Sequence, residues 1–157
     1  MKRTTIPALL VSLLLSGSAL GADLVRWRSL SVGQAEAKSS GKPVLYFFTA
    51  NWCGPCRILK SEVFGNQKTA GLVEKQFVPI EVQDRIREEG RNSAQVDALQ
   101  NEFEVRGFPM LVATRVQGGK AVYVLGYPGR AEVEEFLRGV TKELGKPEKT
   151  KKGARRA

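Results

Sequence analysis

The chain contains only two cysteines, Cys53 and Cys56, which lie three positions apart directly after an apolar run at residues 44–48. Thiols at this spacing can form and open a disulfide with little movement of the chain. A disulfide that closes so short a loop removes little entropy from the unfolded chain, so it stabilises the fold only weakly. The pair therefore favours redox chemistry over a purely structural disulfide.

A helix predicted to begin at Cys53 gives the two sulfurs different roles. Pro55 suits a first helical turn, where its missing N–H group costs nothing, and Gly54 allows close approach of the backbone. The unpaired N–H groups and partial positive charge of a helix N-terminus stabilise a thiolate, which is the nucleophile. We expect Cys53 to attack a substrate disulfide, and Cys56, one turn further along and more buried, to resolve the mixed disulfide. The same steps in reverse oxidise a dithiol, so the spacing leaves the direction open.

The elements that must position the cysteines follow from hydrophobic periodicity and from helix and turn signals. Strands are predicted at residues 44–49, 77–82, 110–116 and 121–125, and helices at residues 31–40, 53–63, 66–75, 93–103 and 130–144. The first two strands are joined by a helical crossover and should be parallel, whereas Gly118-Gly119 predicts an antiparallel hairpin. This order predicts an α/β fold with a mixed sheet and helices on both faces.

Details of several elements are also predicted. Ser31 is expected to cap the first helix, and Asn66 the helix that follows the cysteine motif. Pro79 inside the second strand predicts an edge position or a bulge. Residues 23–27 could form a short strand or an extended lead-in, and the strongly charged residues 84–92 are predicted to form a surface excursion.

The N-terminus predicts export. Lys2 and Arg3 precede an apolar run at residues 6–15 and a small-residue stretch, the pattern of a secretory signal peptide over residues 1–21. The run is shorter than the roughly 20 residues that span a bilayer, although an uncleaved anchor remains the alternative. Export places the cysteines in an oxidising compartment, where disulfides persist.

The C-terminus is a basic tail at residues 145–157 with few apolar residues, which predicts disorder. The formal net charge of the chain is +9, and much of it lies in this tail. We favour a simply solvated tail over weak attraction to anionic lipid or acidic partners. Specific binding of nucleic acid is not expected, because basic runs bind polyanions with little specificity.

Three sequence features resemble the thioredoxin superfamily. They are the run Trp52-Cys53-Gly54-Pro55-Cys56 after a buried strand, the run Val105-Arg106-Gly107-Phe108-Pro109, and Gly126 before the final helix. The resemblance covers roughly residues 42–144. It implies one thioredoxin-like domain over residues 22–144, with a central mixed β-sheet flanked by helices on both faces.

The resemblance also implies roles for site residues. Cys53 and Cys56 would be the catalytic pair, with Trp52, Gly54 and Pro55 completing the active-site motif. Pro109 would be the cis-proline of the family, packed beside the disulfide. Phe108 would offer backbone groups to an extended substrate, although its ring could equally belong to the core.

Phe47 departs from the family pattern. Thioredoxins usually carry a buried aspartate at the matching position, where it helps to take the proton from the second cysteine. Lys60, one helical turn beyond Cys56, is a cation, so the sequence shows no obvious carboxylate base nearby. Water or a carboxylate from elsewhere, such as Glu81, could serve, and we expect slower resolution of the mixed disulfide.

The composition excludes several other chemistries. The chain has no histidine, which rules out hydrolase triads with an imidazole base. Two cysteines without histidine also fall short of a structural zinc site, and no glycine-rich phosphate loop is present. We expect no metal and no organic cofactor.

These observations together predict an exported, periplasmic thiol–disulfide oxidoreductase that acts on protein disulfides or dithiols. The Gly-Pro pair between the cysteines resembles reducing thioredoxins, which favours a reductase supplied with electrons by a membrane partner. Two alternatives stay open at this point. One is a disulfide oxidase or isomerase of the same fold, and the other is a non-catalytic client-binding module with a redox-sensing disulfide.

Overall fold

The computed structural model describes residues 23–145; the predicted signal peptide and residues 146–157 of the basic tail lie outside this range. Helix α2 runs directly into a π-helical turn, Lys60–Phe64. The helices are α1 Leu30–Ser40, α2 Gly54–Leu59, α3 Gln67–Gln76, α4 Ile86–Glu89, α5 Ala94–Glu102 and α6 Arg130–Glu143. The strands are β1 Val44–Ala50, β2 Val78–Asp84, β3 Met110–Thr114 and β4 Val122–Leu125.

The four strands form one mixed sheet in the order β2-β1-β3-β4. Strand β1 pairs in parallel with β2 and antiparallel with β3, and β3 pairs antiparallel with β4. The predicted parallel crossover and the predicted hairpin are both confirmed. Every residue of β1 is buried, because the strand lies inside the sheet and helices cover both faces.

The alternation of side chains along β1 builds two cores. Leu45 and Phe47 face one core, to which α2, α3 and α6 contribute Leu59, Val73 and Leu137. Tyr46 and Phe48 face the other core, to which α1 and α5 contribute Ala37 and Leu99. This two-sided burial is the reason why the run at residues 44–48 is apolar at every position.

Strand β2 lies at an edge of the sheet, as Pro79 predicted. The lead-in segment meets β2 at its end, through a β-bridge between Arg28 and Ile80. In that bridge the Arg28 N–H donates to the Pro79 carbonyl at 3.0 Å, and the Glu81 N–H donates to the Arg28 carbonyl at 3.3 Å. Among residues 23–27 the structure thus favours the lead-in over a strand.

The N-cap of helix α1 is Ser29, two residues before the predicted Ser31. Ser29 has extended backbone, with ψ 159°, whereas Ser31 already lies inside the helix. The same helix packs very closely on β2. An ideal Cβ on Gly33 would lie 2.4 Å from Ile80 Cγ1, so the approach of α1 to the sheet requires glycine at this position.

Other boundaries differ from the prediction by one or two residues. Strand β3 ends at Thr114 rather than Val116, because its partner β1 begins at Val44, directly opposite Thr114. Strand β2 extends to Asp84, since the pairing with β1 continues to Ala50. The predicted excursion at residues 84–92 contains the exposed helix α4. Within residues 23–145, no helix combines the length and apolar character that crossing a bilayer requires.

Candidate redox active site

Strand β1 carries the chain to Cys53 through a turn at Asn51 and Trp52. The Cys53 N–H donates to the Ala50 carbonyl at 3.0 Å and closes this turn. Cys53 has extended backbone and is the N-cap of α2, where its sulfur accepts the Cys56 N–H at 3.1 Å. The expectation that Cys53 begins the helix is confirmed, and a cysteine sulfur occupies the place that a serine or aspartate oxygen usually takes.

Cys53 and Cys56 form a disulfide, with Cα atoms 5.3 Å apart. Each residue is 2% exposed, so the prediction that Cys56 is the more buried of the two is wrong for this disulfide state. The bond holds the Cys53 sulfur against Cys56, and both residues belong to the core that contains Phe47 and Leu59. A difference between the two sulfurs therefore rests on their helical positions, at the N-cap and inside the first turn.

Trp52 and Phe108 form an aromatic pair beside the disulfide. Trp52 is 42% exposed, and its ring meets that of Phe108 edge to face at 5.9 Å between centroids. The Phe108–Pro109 peptide bond is cis, and Pro109 is buried. Because Met110 pairs with Phe48 near the end of β1, this segment lies at the same end of the sheet as the cysteines.

The structure thus brings the predicted site residues together at one end of the sheet. Gly54 and Pro55 form the first two residues of α2, between the cysteines. On the far side, the Gly126 N–H donates to the Pro109 carbonyl at 2.7 Å, with Gly126 at φ 78°. This hydrogen bond ties the Pro109 segment to the turn that follows β4.

Aromatic rings surround Phe47, which stands where thioredoxins usually carry a buried aspartate. Phe47 is fully buried and contacts Trp27 and Phe64, with ring centroids 5.3 Å and 5.6 Å away. The Lys60 ammonium lies 5.6 Å from the centre of the Phe47 ring. The backbone N–H of Lys60 donates to the Cys56 carbonyl, so Lys60 lies one helical turn beyond the second cysteine.

Two carboxylates surround the Lys60 ammonium. Glu81, which is opposite Phe47 in the β1–β2 register, lies 2.6 Å from the Lys60 nitrogen, and Asp23 lies 3.9 Å from it. Burial raises the pKa of Asp23, partly offset by the hydrogen bond that it accepts from the Trp27 indole at 2.6 Å. Sequence reasoning named Glu81 but missed Asp23, because no local pattern links the lead-in segment to α2.

Two arginines border the motif on the exposed side, and sequence reasoning missed both. The Arg87 guanidinium lies over the Trp52 ring, 3.9 Å from its centroid. The Arg57 side chain returns over the turn and donates to the Asn51 carbonyl at 3.0 Å. The only signal for Arg87 was the alternating charge at residues 84–92, which equally describes a solvent-facing segment.

A family model described as a thioredoxin-like domain matches residues 30–141, more than half of the chain. The chain belongs to the thioredoxin-like family. The match spans all the elements from α1 to within α6, and so includes the cysteine motif and the Phe108–Pro109 segment.

Individual relatives agree with this assignment. A thioredoxin of Mycoplasmoides gallisepticum is 29% identical over 103 residues, which cover 64% of this chain and 86% of the relative. The solved structure of a Thermus thermophilus thioredoxin matches with TM-score 0.61 and 24% identity, over 78% of this chain and 91% of that one. A DsbH oxidoreductase structure matches with TM-score 0.60 and 20% identity, over 80% and 92% of the two chains.

At the level of the family, this thioredoxin-like chain is a thiol–disulfide oxidoreductase with Cys53 and Cys56 as its cysteine pair. The geometry suits thiol–disulfide exchange, because one sulfur caps a helix and the other lies one turn away.

Proposed function

We propose that this thioredoxin-like protein reduces disulfides of other proteins in the periplasm. The observation that carries the proposal is the disulfide at the start of α2, whose Cys53 sulfur accepts a helix N–H group. In the reduced protein, the Cys53 thiolate attacks one sulfur of the substrate disulfide, and the other substrate sulfur leaves as a thiolate. Cys56 then loses its proton and attacks the Cys53 sulfur, which releases the second substrate sulfur and regenerates the disulfide. Two electrons pass to the substrate in each cycle.

The helix start stabilises the attacking thiolate. The Cys56 N–H, 3.1 Å from the Cys53 sulfur, remains a donor when the disulfide opens. A hydrogen bond to the charged form, together with the partial positive charge of the helix N-terminus, lowers the pKa of a thiol. Cys56 lies inside the helix and lacks this arrangement, so we assign it the resolving role.

Glu81 is the carboxylate that we assign as proton acceptor for Cys56. Glu81 lies on β2, opposite Phe47, and its carboxylate pairs with the Lys60 ammonium. The backbone N–H of Lys60 in turn donates to the Cys56 carbonyl. Glu81 also lines an open groove of about 350 Å³ beside β2, which gives it contact with solvent.

The reducing direction and the compartment rest on sequence features. Gly54 and Pro55 between the cysteines resemble reducing thioredoxins, and two curated relatives carry the name thioredoxin. The predicted signal peptide at residues 1–21 supports export to the periplasm. A reductase in an oxidising compartment needs a dithiol donor, for which we propose a membrane protein whose own thiols reduce the Cys53–Cys56 disulfide.

The reduction potential tests the direction. The mature protein is equilibrated with defined ratios of reduced and oxidised dithiothreitol, and the thiol content of the Cys53–Cys56 pair is counted by alkylation and mass spectrometry. A value near that of thioredoxin, about −270 mV, is expected. A value near the strong oxidant DsbA, about −120 mV, would reverse the proposed direction.

Insulin reduction tests catalysis itself. The wild type should accelerate reduction by dithiothreitol, and Cys53→Ser should not. Cys56→Ala should instead accumulate mixed disulfides through Cys53, which non-reducing electrophoresis detects. If the wild type reduces insulin no faster than Cys53→Ser, the protein is a client-binding module and not an enzyme. N-terminal sequencing of the periplasmic fraction tests export, and an intact Met1 in a cytoplasmic fraction would contradict it.

A further inference from the structure

Arg87 places a positive charge beside the attacking cysteine. Its guanidinium lies 3.9 Å from the centre of the Trp52 ring, and Trp52 directly precedes Cys53. A cation over an indole face is held by the charge distribution of the ring, and arginine is the usual partner. Trp52 also makes an edge-to-face contact with Phe108. Arg87, Trp52 and Phe108 thus form a continuous row along the redox site.

The segment that carries Arg87 is anchored rather than loosely attached. Asp84, which is 6% exposed, accepts the Ile86 N–H at 3.2 Å and the side-chain amides of Asn92 and Gln100 at 2.9 Å and 3.1 Å. The Arg85 N–H donates to the Asn92 side chain at 2.7 Å. Both ends of the excursion are therefore held, and α4 presents Arg87 to Trp52 from a defined position.

The charge of Arg87 is not neutralised by a neighbouring carboxylate. Glu89, on the same short helix, pairs with Arg85 at 2.7 Å. Across residues 23–145, no carboxylate lies within ion-pair distance of Arg87 or Arg57. Arg57 also approaches the motif, with its Nη2 4.0 Å from the position that a Cβ on Gly54 would take.

Two exposed arginines therefore contact the turn that leads to Cys53, Arg87 through Trp52 and Arg57 through the Asn51 carbonyl. A guanidinium offers donors in a planar fork that matches a carboxylate, which makes arginine more selective for carboxylates than a lysine ammonium. A substrate disulfide that reaches Cys53 must bring the residues beside its own cysteine close to these groups.

We infer that Arg87, assisted by Arg57, selects protein disulfides that carry Asp or Glu beside the reactive cysteine. This inference rests on the proposed disulfide exchange at Cys53 and names the substrate class of that site. The substrate carboxylate binds the guanidinium of Arg87, which holds the substrate sulfur in front of Cys53 before exchange.

Three synthetic peptides test the selection, each with one intramolecular disulfide and identical except for Asp, Ser or Lys on both sides of one cysteine. The rate constant for reduction of each peptide by the fully reduced mature protein is measured by stopped flow. Exposed ion pairs have small individual energies, so we expect the Asp peptide to react about 3- to 10-fold faster than the Lys peptide. This ratio should fall as sodium chloride is raised from low to high concentration, since salt screens exposed charges.

Charge reversal at Arg87 is the decisive variant. Arg87→Glu should invert the preference between the Asp and Lys peptides. Arg87→Ala should reduce the ratio of the Asp-peptide rate to the Lys-peptide rate to the smaller value that Arg57 alone supports. Arg91→Ala is the matched control, because Arg91 is an exposed arginine of the same excursion with no contact to Trp52 among those described. The control should keep the wild-type ratio.

The outcomes separate the inference from the proposed function. Equal rates for all three peptides in the wild type would overturn the charge selection while leaving disulfide reduction intact. Failure to reduce even the Ser peptide would overturn both. If Arg87→Glu changes all three rates by one factor and shifts the pH dependence of Cys53 alkylation, Arg87 tunes the thiol rather than the choice of substrate, and the inference is wrong.

Discussion

Gly33 is the point at which α1 makes its closest approach to the sheet, and the substitution Gly33→Ala tests that packing. An ideal Cβ at this position would lie 2.4 Å from Ile80 Cγ1, 2.6 Å from Ile80 Cδ1 and 3.1 Å from Arg28 Cβ. Carbon atoms in favourable contact lie about 3.5–4.0 Å apart, so α1 or Ile80 would have to shift by about 1 Å. Ile80 is fully buried in β2.

The expected cost follows from two opposing effects. Extra carbon in a well-packed core typically costs about 1–3 kcal/mol, and the severity of this overlap places Gly33→Ala in the upper part of that range. Alanine in place of glycine inside a helix returns roughly 0.5–1 kcal/mol. We therefore expect the free energy of unfolding to fall by about 1–2.5 kcal/mol, with an unchanged dependence on urea concentration.

Urea denaturation of the oxidised protein measures this loss, and the chain supplies matched controls. Gly71 in α3 and Gly139 in α6 are helical glycines with no atom within 4 Å of an added Cβ. Alanine at either position should leave the stability unchanged or raise it by about 0.4–1 kcal/mol. In an Ile80→Ala background the penalty of Gly33→Ala should disappear. A Gly33→Ala variant as stable as these controls would refute the packing argument.

Three further predictions concern the site and its surroundings. Phe47→Asp adds an acid near the cysteines and should accelerate resolution of the mixed disulfide in stopped-flow assays. It should also lower stability, because it removes buried ring contacts. An unchanged rate would contradict the idea that the missing carboxylate slows resolution. Burial and the hydrogen bond to Glu62 raise the pKa of Tyr127 to about 12, so its contribution to stability should be complete below about pH 10 and lost as the pH rises from about 10 through about 12. Ultraviolet titration should show one phenol fewer near pH 12 in Tyr127→Phe, and no difference would argue against the contact. Asn66 accepts the Lys68 and Thr69 N–H groups at 3.0 Å and 3.2 Å, so Asn66→Ala should cost about 0.5–2 kcal/mol in thermal unfolding and Asn66→Gly only a few tenths.

Local signals were sufficient for most of the scaffold. The apolar run of β1 is continuous because the strand is covered on both faces, and that pattern alone predicted its central place. Asn66 was predicted as a helix cap because its side chain satisfies N–H groups only two and three residues away. The cap of α1 was misplaced because Ser29 and Ser31 are chemically equal, and the tight fit of Gly33 on Ile80, which is not a local property, fixes how that helix lies.

The electrostatics of the site lay beyond sequence reasoning. Lys60 meets Glu81 and Asp23, which are 21 and 37 positions away, only because α2, β2 and the lead-in segment converge. Arg87 reaches Trp52 through an excursion whose charge pattern is equally compatible with solvent on every side. The burial of Cys53 likewise depends on the neighbours that the fold packs against it, and these are distant in the chain.

The two edges of the sheet are unequal, and this has a consequence for self-association. Arg28 lies against the outer side of β2 and uses hydrogen-bonding groups of Pro79 and Glu81, so this part of the edge is already paired. The opposite edge, β4, is short but carries the exposed side chains of Tyr123 and Leu125. Two copies joined antiparallel along β4 would form one eight-stranded sheet that ends on both sides in a β2 edge partly covered by Arg28. Strand addition along β4 would therefore favour a closed pair over a growing fibre.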